Sequence, residues 1–160
     1  EDREHARTDE LTGLPNRRRF IAELELLRRR TGTLLLLDLD GFKAVNDTYG
    51  HEVGDQLLKQ ITLRFNRVLP NGVLIARLGG DEFGVVVYGK RNIGNDVALA
   101  LRATCTYPFT LSVGDVKVGV SIGSVTTEGP TSTKEALLKR ADTAMYEAKR
   151  NGTGYVQSLN

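Results

Sequence analysis

The sequence predicts an α+β domain: a mixed, mainly antiparallel central sheet with helices packed on its faces. Three observations carry that prediction. Two runs rich in Val, Leu and Ile, residues 73–76 and 84–88, are joined through Gly79-Gly80. A glycine pair supplies the positive φ that a tight hairpin turn requires, without a Cβ penalty. Residues 34–37 are four consecutive leucines, as expected of a strand covered on both faces. Finally, the expected strands do not alternate strictly with helices, which argues against a purely parallel, doubly wound sheet.

Taken in order, residues 9–17 read as a turn-rich lead, punctuated by Gly13 and Pro15. A helix follows, with Phe20, Ile21, Leu24 and Leu27 at helical spacing. Arg28, Arg29 and Arg30 suit the solvated C-terminal end of that helix, where cations complement the dipole. Residues 33–40 form the leucine-rich strand, and residues 41–49 a polar segment of one or two helical turns ending at Gly50. Residues 52–69 make an amphipathic helix with Leu58, Ile61, Phe65 and Val68 on one side. After the Gly-Gly hairpin, residues 95–104 read as a helix carrying Val97, Leu99 and Leu101. Residues 109–113 and 116–124 read as strands around a second hairpin pair, Gly114-Asp115. Ser132-Thr133-Lys134-Glu135 fits a capping box, opening a helix with Leu138, Ala141, Met145 and Ala148 on one face. Asn151-Gly152 closes it, and Tyr155-Val156 is a last short strand.

At 160 residues and 40% hydrophobic content, the chain is long enough for one well-buried core and short for two. Residues 1–160 are therefore read as a single domain. The chain starts Glu1-Asp2-Arg3-Glu4 without a methionine, which suggests a piece of a longer protein. The formal net charge of +2 and 26% charged residues point to no nucleic-acid-coating surface and no disordered tail. One cysteine, Cys105, rules out a disulfide framework within the chain and fits a reducing, cytoplasmic setting. No apolar run reaches membrane-spanning length, so this domain is expected to make no membrane contact itself. Two histidines and one cysteine make a zinc site a poor expectation.

The chemistry is concentrated in carboxylates. Asp81 and Glu82 follow directly on the Gly-Gly turn, and Asp38-Leu39-Asp40 ends the leucine strand. Acids from two adjacent strand ends supply the hard oxygen ligands of a divalent metal site for phosphoryl transfer. The competing reading of Asp81-Glu82 is a solvated turn. Strand geometry puts Asp38 and Asp40 on one face, so Leu39 could reach a metal only through its carbonyl. By the same parity Asp81 aligns with Phe83 and Val85, opposite to Glu82. Asp55 falls in the first turn of its helix, where the dipole alone would favour an acid.

These pieces resemble a family. Arg77-Leu78-Gly79-Gly80-Asp81-Glu82-Phe83 stands with residues 9–17, with residues 38–55 (DLDGFKAVNDTYGHEVGD), with VSIG at 120–123 and with ADTAMYEAK at 141–149. Together and in this order they closely resemble the GGDEF domain of bacterial diguanylate cyclases. The resemblance covers nearly the whole chain and implies a palm-like fold, ferredoxin-like and related to nucleotide cyclases and polymerase palms. It implies condensation of two GTP molecules into cyclic di-GMP with release of two pyrophosphates, across a homodimer. The implied cofactor is Mg²⁺ or Mn²⁺, and the implied input is an upstream sensor or receiver domain.

Carried over by position, Asp38, the Leu39 carbonyl and Asp81 are the implied metal ligands, and Glu82 the second signature carboxylate. Asn46 and Asp55 are the implied guanine readers. A carboxylate at Asp55 can accept from guanine N1–H and N2–H₂ together, which adenine cannot match. The backbone amides of Phe42 and Lys43 are the implied phosphate contacts, Lys149 is the implied cationic contact to the triphosphate, and Gly80 is an implied substrate-binding residue. Two departures stand out. Thr153 lies where the family usually has an arginine, with Arg150 as a nearby substitute. Residues 70–73 (PNGV) lack the arginine and aspartate of the family's feedback-inhibition site. The alternative function is a GTP-binding regulatory domain of the same fold without turnover.

Overall fold

The computed structural model describes residues 6–130 and 133–159. Its centre is the leucine strand β1 (Thr31–Asp40), preceded by helix α1 (Arg17–Leu27). Next come α2 (Phe42–Tyr49), α3 (His51–Val68), β2 (Leu74–Gly79), β3 (Glu82–Tyr88) and α4 (Arg91–Ala103). A short pair, β4 (Phe109–Leu111) and β5 (Gly114–Val116), leads into β6 (Gly119–Glu128), α5 (Lys134–Asn151) and β7 (Tyr155–Gln157). The main sheet runs β2-β3-β1-β6-β7, antiparallel except for the β6–β7 pair. The α+β, mainly antiparallel architecture is as the sequence predicts.

Strand alternation sorts the core into two layers. Leu35, Leu37 and Leu39 share one face with Phe83, Val85 and Val87, and meet Leu57, Ile61 and Phe65 of α3 and Val97 and Leu101 of α4. Leu34, Leu36 and Val86 face the other way, onto Phe20, Leu24 and Leu27 of α1 and Leu137, Ala141 and Met145 of α5. Covering on both faces is why the strand tolerates an unbroken leucine run. Each of those side chains contributes about 2 kcal/mol by leaving water. Gly123 lets α5 settle onto β6, because a Cβ there would collide with backbone atoms of Ala141 and Met145.

Several local expectations are corrected. The expected strand 116–124 is two strands: β5 closes a small hairpin, and β6 enters the main sheet at Gly119, opposite Asp40. In that small hairpin Leu111 pairs with Gly114, so the turn is Ser112-Val113 rather than Gly114-Asp115. Ser112 N–H is fixed there by the Gln56 side chain at 3.0 Å. In α4 the buried positions are Val97, Ala98 and Leu101, and Leu99 is exposed, since 97-99-101 is a strand period rather than a helical one. Leu137, not Leu138, is the fully buried leucine of α5. Val68 ends α3 exposed, and Leu69 packs on the core instead. The N-cap of α5 is Thr133, whose hydroxyl accepts from Ala136 N–H at 3.1 Å; Ser132 lies outside the described residues.

The main hairpin is also displaced by one residue. Gly79 pairs with Glu82, leaving Gly80-Asp81 as the two-residue loop, with a register shift between Arg77 and Gly79. Gly80 takes φ +49° and Gly79 φ +143°, conformations that favour glycine. Asp81 therefore belongs to the turn, and strand parity does not aim its side chain.

Candidate functional site

The chemistry gathers at one end of the main sheet, where β1 runs out, β3 begins and the last turns of α5 pass over. Register places Asp38 opposite Glu82 on one side and opposite Ser121 on the other. Asp40 accepts a hydrogen bond from the Ser121 hydroxyl at 2.8 Å. Lys149 reaches in from α5. Its ammonium lies 3.2 Å from Asp38 Oδ2, 3.4 Å from Asp40 Oδ1 and 3.5 Å from the Leu39 carbonyl oxygen. Burial works against that charge, but the two carboxylates outweigh it and hold the Lys149 ammonium above its ordinary pKa.

The acids are not all compensated. Asp38 Oδ1 is buried with no hydrogen-bond partner. Burial pushes the Asp81 carboxyl up to about 6, and the neighbouring Asp38 carboxylate adds to the rise. Glu82 is raised too, by burial first, with Arg17 at 4.0 Å pulling the other way and Asp142 and Asp38 adding to the rise. The Asp38 charge thus acts on both carboxyls.

Those features fit a divalent cation. Among the described residues no three His, Cys, Asp or Glu side chains form a metal-holding group. The oxygen atoms gathered at this end are those of the Asp38 and Asp81 carboxylates and the Leu39 main-chain carbonyl. Hard oxygen donors with a buried, unpartnered carboxylate oxygen suit Mg²⁺ or Mn²⁺, which keep positions for water and phosphate oxygens.

The expected nucleotide contacts sit beside this end, at the junction of α2 and α3. Gly41 (φ +90°) begins α2 without a capping side chain, leaving the first-turn N–H groups of Phe42 and Lys43 for an anion. The Lys43 side chain turns away to Asp47 at 2.7 Å on the exposed surface. Asn46 is half-buried, and its Oδ1 has no hydrogen-bond partner. That oxygen lies over Gly54, where any Cβ would collide with it. Asp55 follows directly and is exposed. Because α3 starts at His51, its first-turn acid is Glu52, and Asp55 sits a turn further in. A purely dipolar explanation of Asp55 is weakened accordingly.

Other residues were not legible as site residues. Arg17 and Asp142, from opposite ends of the chain, flank Glu82 and line a cavity of about 310 Å³ with Phe20, Leu36 and Leu138. The cavity takes in Glu82 but neither Asp38 nor Asp81. No spacing rule links them; only the packing of α1 beside α5 does. Arg150, the nearby substitute for the missing arginine, has its guanidinium over the Tyr146 ring, 5.8 Å from its centroid. Thr153 is exposed.

A mainly antiparallel sheet with helices on both faces and an acidic, lysine-capped end makes this an α+β domain. The chain belongs to the GGDEF family: the model described as "Diguanylate cyclase, GGDEF domain" matches residues 6–154. It is 39% identical to the response regulator PleD of Caulobacter vibrioides, over 96% of this chain and 36% of that protein. It is 38% identical to the diguanylate cyclase DgcP of Escherichia coli, over 90% of this chain and 45% of that protein. The chain thus spans less than half the length of these curated relatives. Its fold matches the crystal structure of the GGDEF domain of DgcB from Caulobacter crescentus in complex with c-di-GMP. That match has a TM-score of 0.88 and 29% identity, and covers 99% of both chains. Among the described residues no helix is long and apolar enough to cross a membrane.

Proposed function

We propose that this chain is a diguanylate cyclase domain that condenses two GTP molecules into cyclic di-GMP and releases two pyrophosphates. The observation that carries the reading is the strand-end acid pair. Asp38 keeps a buried carboxylate oxygen without a partner, and beside it Asp81 is raised to about 6. A site that disfavours its own charges is one whose ligand is a cation. Asp38, Asp81 and the Leu39 carbonyl would hold Mg²⁺. When bound, that ion supplies charge neutralisation at the α-phosphate and a lowered pKa for the attacking 3′-hydroxyl.

The remaining roles fall to the chain's own groups. Asn46 and Asp55 orient the guanine, the Phe42 and Lys43 N–H groups meet phosphate, and Lys149 carries positive charge to the triphosphate. Gly80, lacking a side chain, lets the nucleotide approach the turn, and Glu82 stands by the ribose. One chain presents one GTP, so reaction requires a second copy facing it, and proximity of two half-sites supplies much of the rate. An upstream sensor or receiver domain would set that encounter. Residues 70–73 offer no arginine or acid for product feedback.

The test is to fuse a dimerising coiled coil ahead of residue 6, incubate with GTP and Mg²⁺, and assay cyclic di-GMP. Product is expected, and its absence while GTP still binds would favour the second reading, a GTP-binding regulatory domain. The observation favouring that reading is Thr153, with Arg150 turned to Tyr146.

A further inference from the structure

The donors assigned to the metal are already in contact with a cation that belongs to the chain. The Lys149 ammonium touches Asp38 Oδ2, the Leu39 carbonyl oxygen and, beside them, Asp40 Oδ1, all within 3.5 Å. Two of these three are donors of the proposed metal site, so this inference rests on that reading. A divalent ion and an ammonium sharing one carboxylate and one carbonyl repel each other strongly at such range. Holding either one at these oxygens weakens the hold on the other. The lysine's flexible four-carbon stem allows it to leave, and its side chain is 38% exposed, so a path outward exists. Leaving is unfavourable without a new anionic partner, and the only one the reaction provides is the triphosphate.

We propose that Lys149 is a tethered placeholder cation: it holds the metal's carboxylates until nucleotide arrives, so that metal and nucleotide enter together. Asp40 is the positioning residue of this device. The Ser121 hydroxyl fixes its carboxylate, and that carboxylate keeps the ammonium against β1 rather than in solvent. Without the placeholder, Asp38 and Asp81 would face each other with their repulsion uncompensated. With it, part of that repulsion is offset in the nucleotide-free protein, and divalent metal alone binds poorly. Lys149 thus has two successive partners, and the exchange between them makes metal affinity depend on nucleotide.

The test uses the nucleotide-free chain and Mn²⁺ alone, titrated with free Mn²⁺ read by electron paramagnetic resonance. Lys149→Met should bind Mn²⁺ on the order of tenfold more tightly than wild type, the scale of one partly exposed ion pair removed. Arg150→Gln makes the same change of charge one residue away, where the side chain lies over Tyr146, and should give a much smaller gain. In the wild type, Mn²⁺ saturation should raise the reactivity of the Lys149 amine toward acetylation, followed by mass spectrometry. That measurement needs no variant to fold. Equal Mn²⁺ affinity in Lys149→Met and wild type, an equal gain in Arg150→Gln, or no rise in Lys149 acetylation each overturns the proposal. Asp38→Asn and Asp81→Asn separate its failure from that of the metal site. If both leave Mn²⁺ binding unchanged, the metal reading falls and this inference with it. If they weaken binding while Lys149→Met does not tighten it, only the placeholder falls.

Discussion

Two aspartates flank the same hairpin and meet opposite fates. Asp9 sits beside β2, Asp81 in the turn that follows, and burial opposes the charge of both. Asp9 is repaid: Thr12 donates to it from N–H at 3.0 Å and from its hydroxyl at 2.7 Å, and Arg77 approaches at 3.1 Å. Its carboxyl is held below the ordinary range despite burial. Asp81 meets another carboxylate, Asp38, and rises to about 6. Arg77 links the two regions, since its Nε also donates to the Gly80 carbonyl at 3.0 Å. A satisfied acid acts as part of the scaffold; an unsatisfied one, held in place by that scaffold, acts as part of a binding site.

The largest effect that would break this contrast is on turnover. Asp81→Ala or Asp38→Ala should lower cyclic di-GMP synthesis by about a thousandfold or more, since metal and transition-state charge lose a ligand. Folding should be little affected, because a like-charge contact is removed and, in Asp38→Ala, Lys149 keeps Asp40 as a partner. Near wild-type synthesis by either variant in a dimerised format would end the assignment.

A third acid sharpens the contrast, because Asp55 is exposed and neither satisfied nor frustrated by the fold. Its contribution should appear only with a ligand. Asp55→Ala is expected to erode the preference for GTP over ATP by about a hundredfold, as when buried donors lose a paired acceptor. Gly54→Ala should weaken GTP as well, by displacing the Asn46 carboxamide that lies over it. Competition binding with both nucleotides reads these effects; an unchanged base preference would leave Asp55 a surface acid.

Asp9→Ala tests the satisfied partner. Arg77 and Asp9 have side chains only 16% and 19% exposed, so the variant leaves a largely buried guanidinium short of its acceptor. Stability should fall by about 2–3 kcal/mol, read as a lower urea midpoint at unchanged slope. Loss of less than half that would mean that the lead into α1 is held without the ion pair, by the hydrogen bond from Arg77 N–H to the Pro15 carbonyl at 2.9 Å.

How much of this was legible follows from range. The leucine strand, the helices and the two acidic strand ends depend on neighbours in sequence, and their periods gave them away. The one-residue displacement of the main hairpin was hidden, because Gly79-Gly80 and Gly80-Asp81 both satisfy turn chemistry and only pairing with β2 decides between them. The small hairpin was hidden for the same reason. Lys149 was expected near phosphate from resemblance alone. Its contact with Asp38 and Asp40 needs β6 beside β1 and α5 pressed onto Gly123, a juxtaposition more than a hundred residues apart in the chain. Arg17 against Glu82 and Asp142 is likewise a product of helix packing that no local pattern announces.

The smallest expected effect is a pair of opposed pH slopes in the metal-free protein. Asp81 has a folded pKa of about 6 against an ordinary 3.8, so between those values the folded state holds more of the proton than the unfolded state. Stability from this group therefore falls as pH rises through that window, and the cost is complete above it. Asp9 is lowered, so its contribution is present above 3.8 and is lost as pH falls through its folded value. Urea midpoints of wild type, Asp81→Asn and Asp9→Asn from pH 3 to 7 separate the two. Asp81→Asn should gain on wild type as pH rises from 4 to 7, and saturating Mn²⁺ should reverse that gain by stabilising wild type. Asp9→Asn should lose most against wild type at neutral pH and converge with it toward pH 3. A wild type to Asp81→Asn gap that stays level from pH 4 to 7 would mean that the Asp81 carboxyl is not raised in solution by burial or by Asp38, and the contrast between the two aspartates would fall.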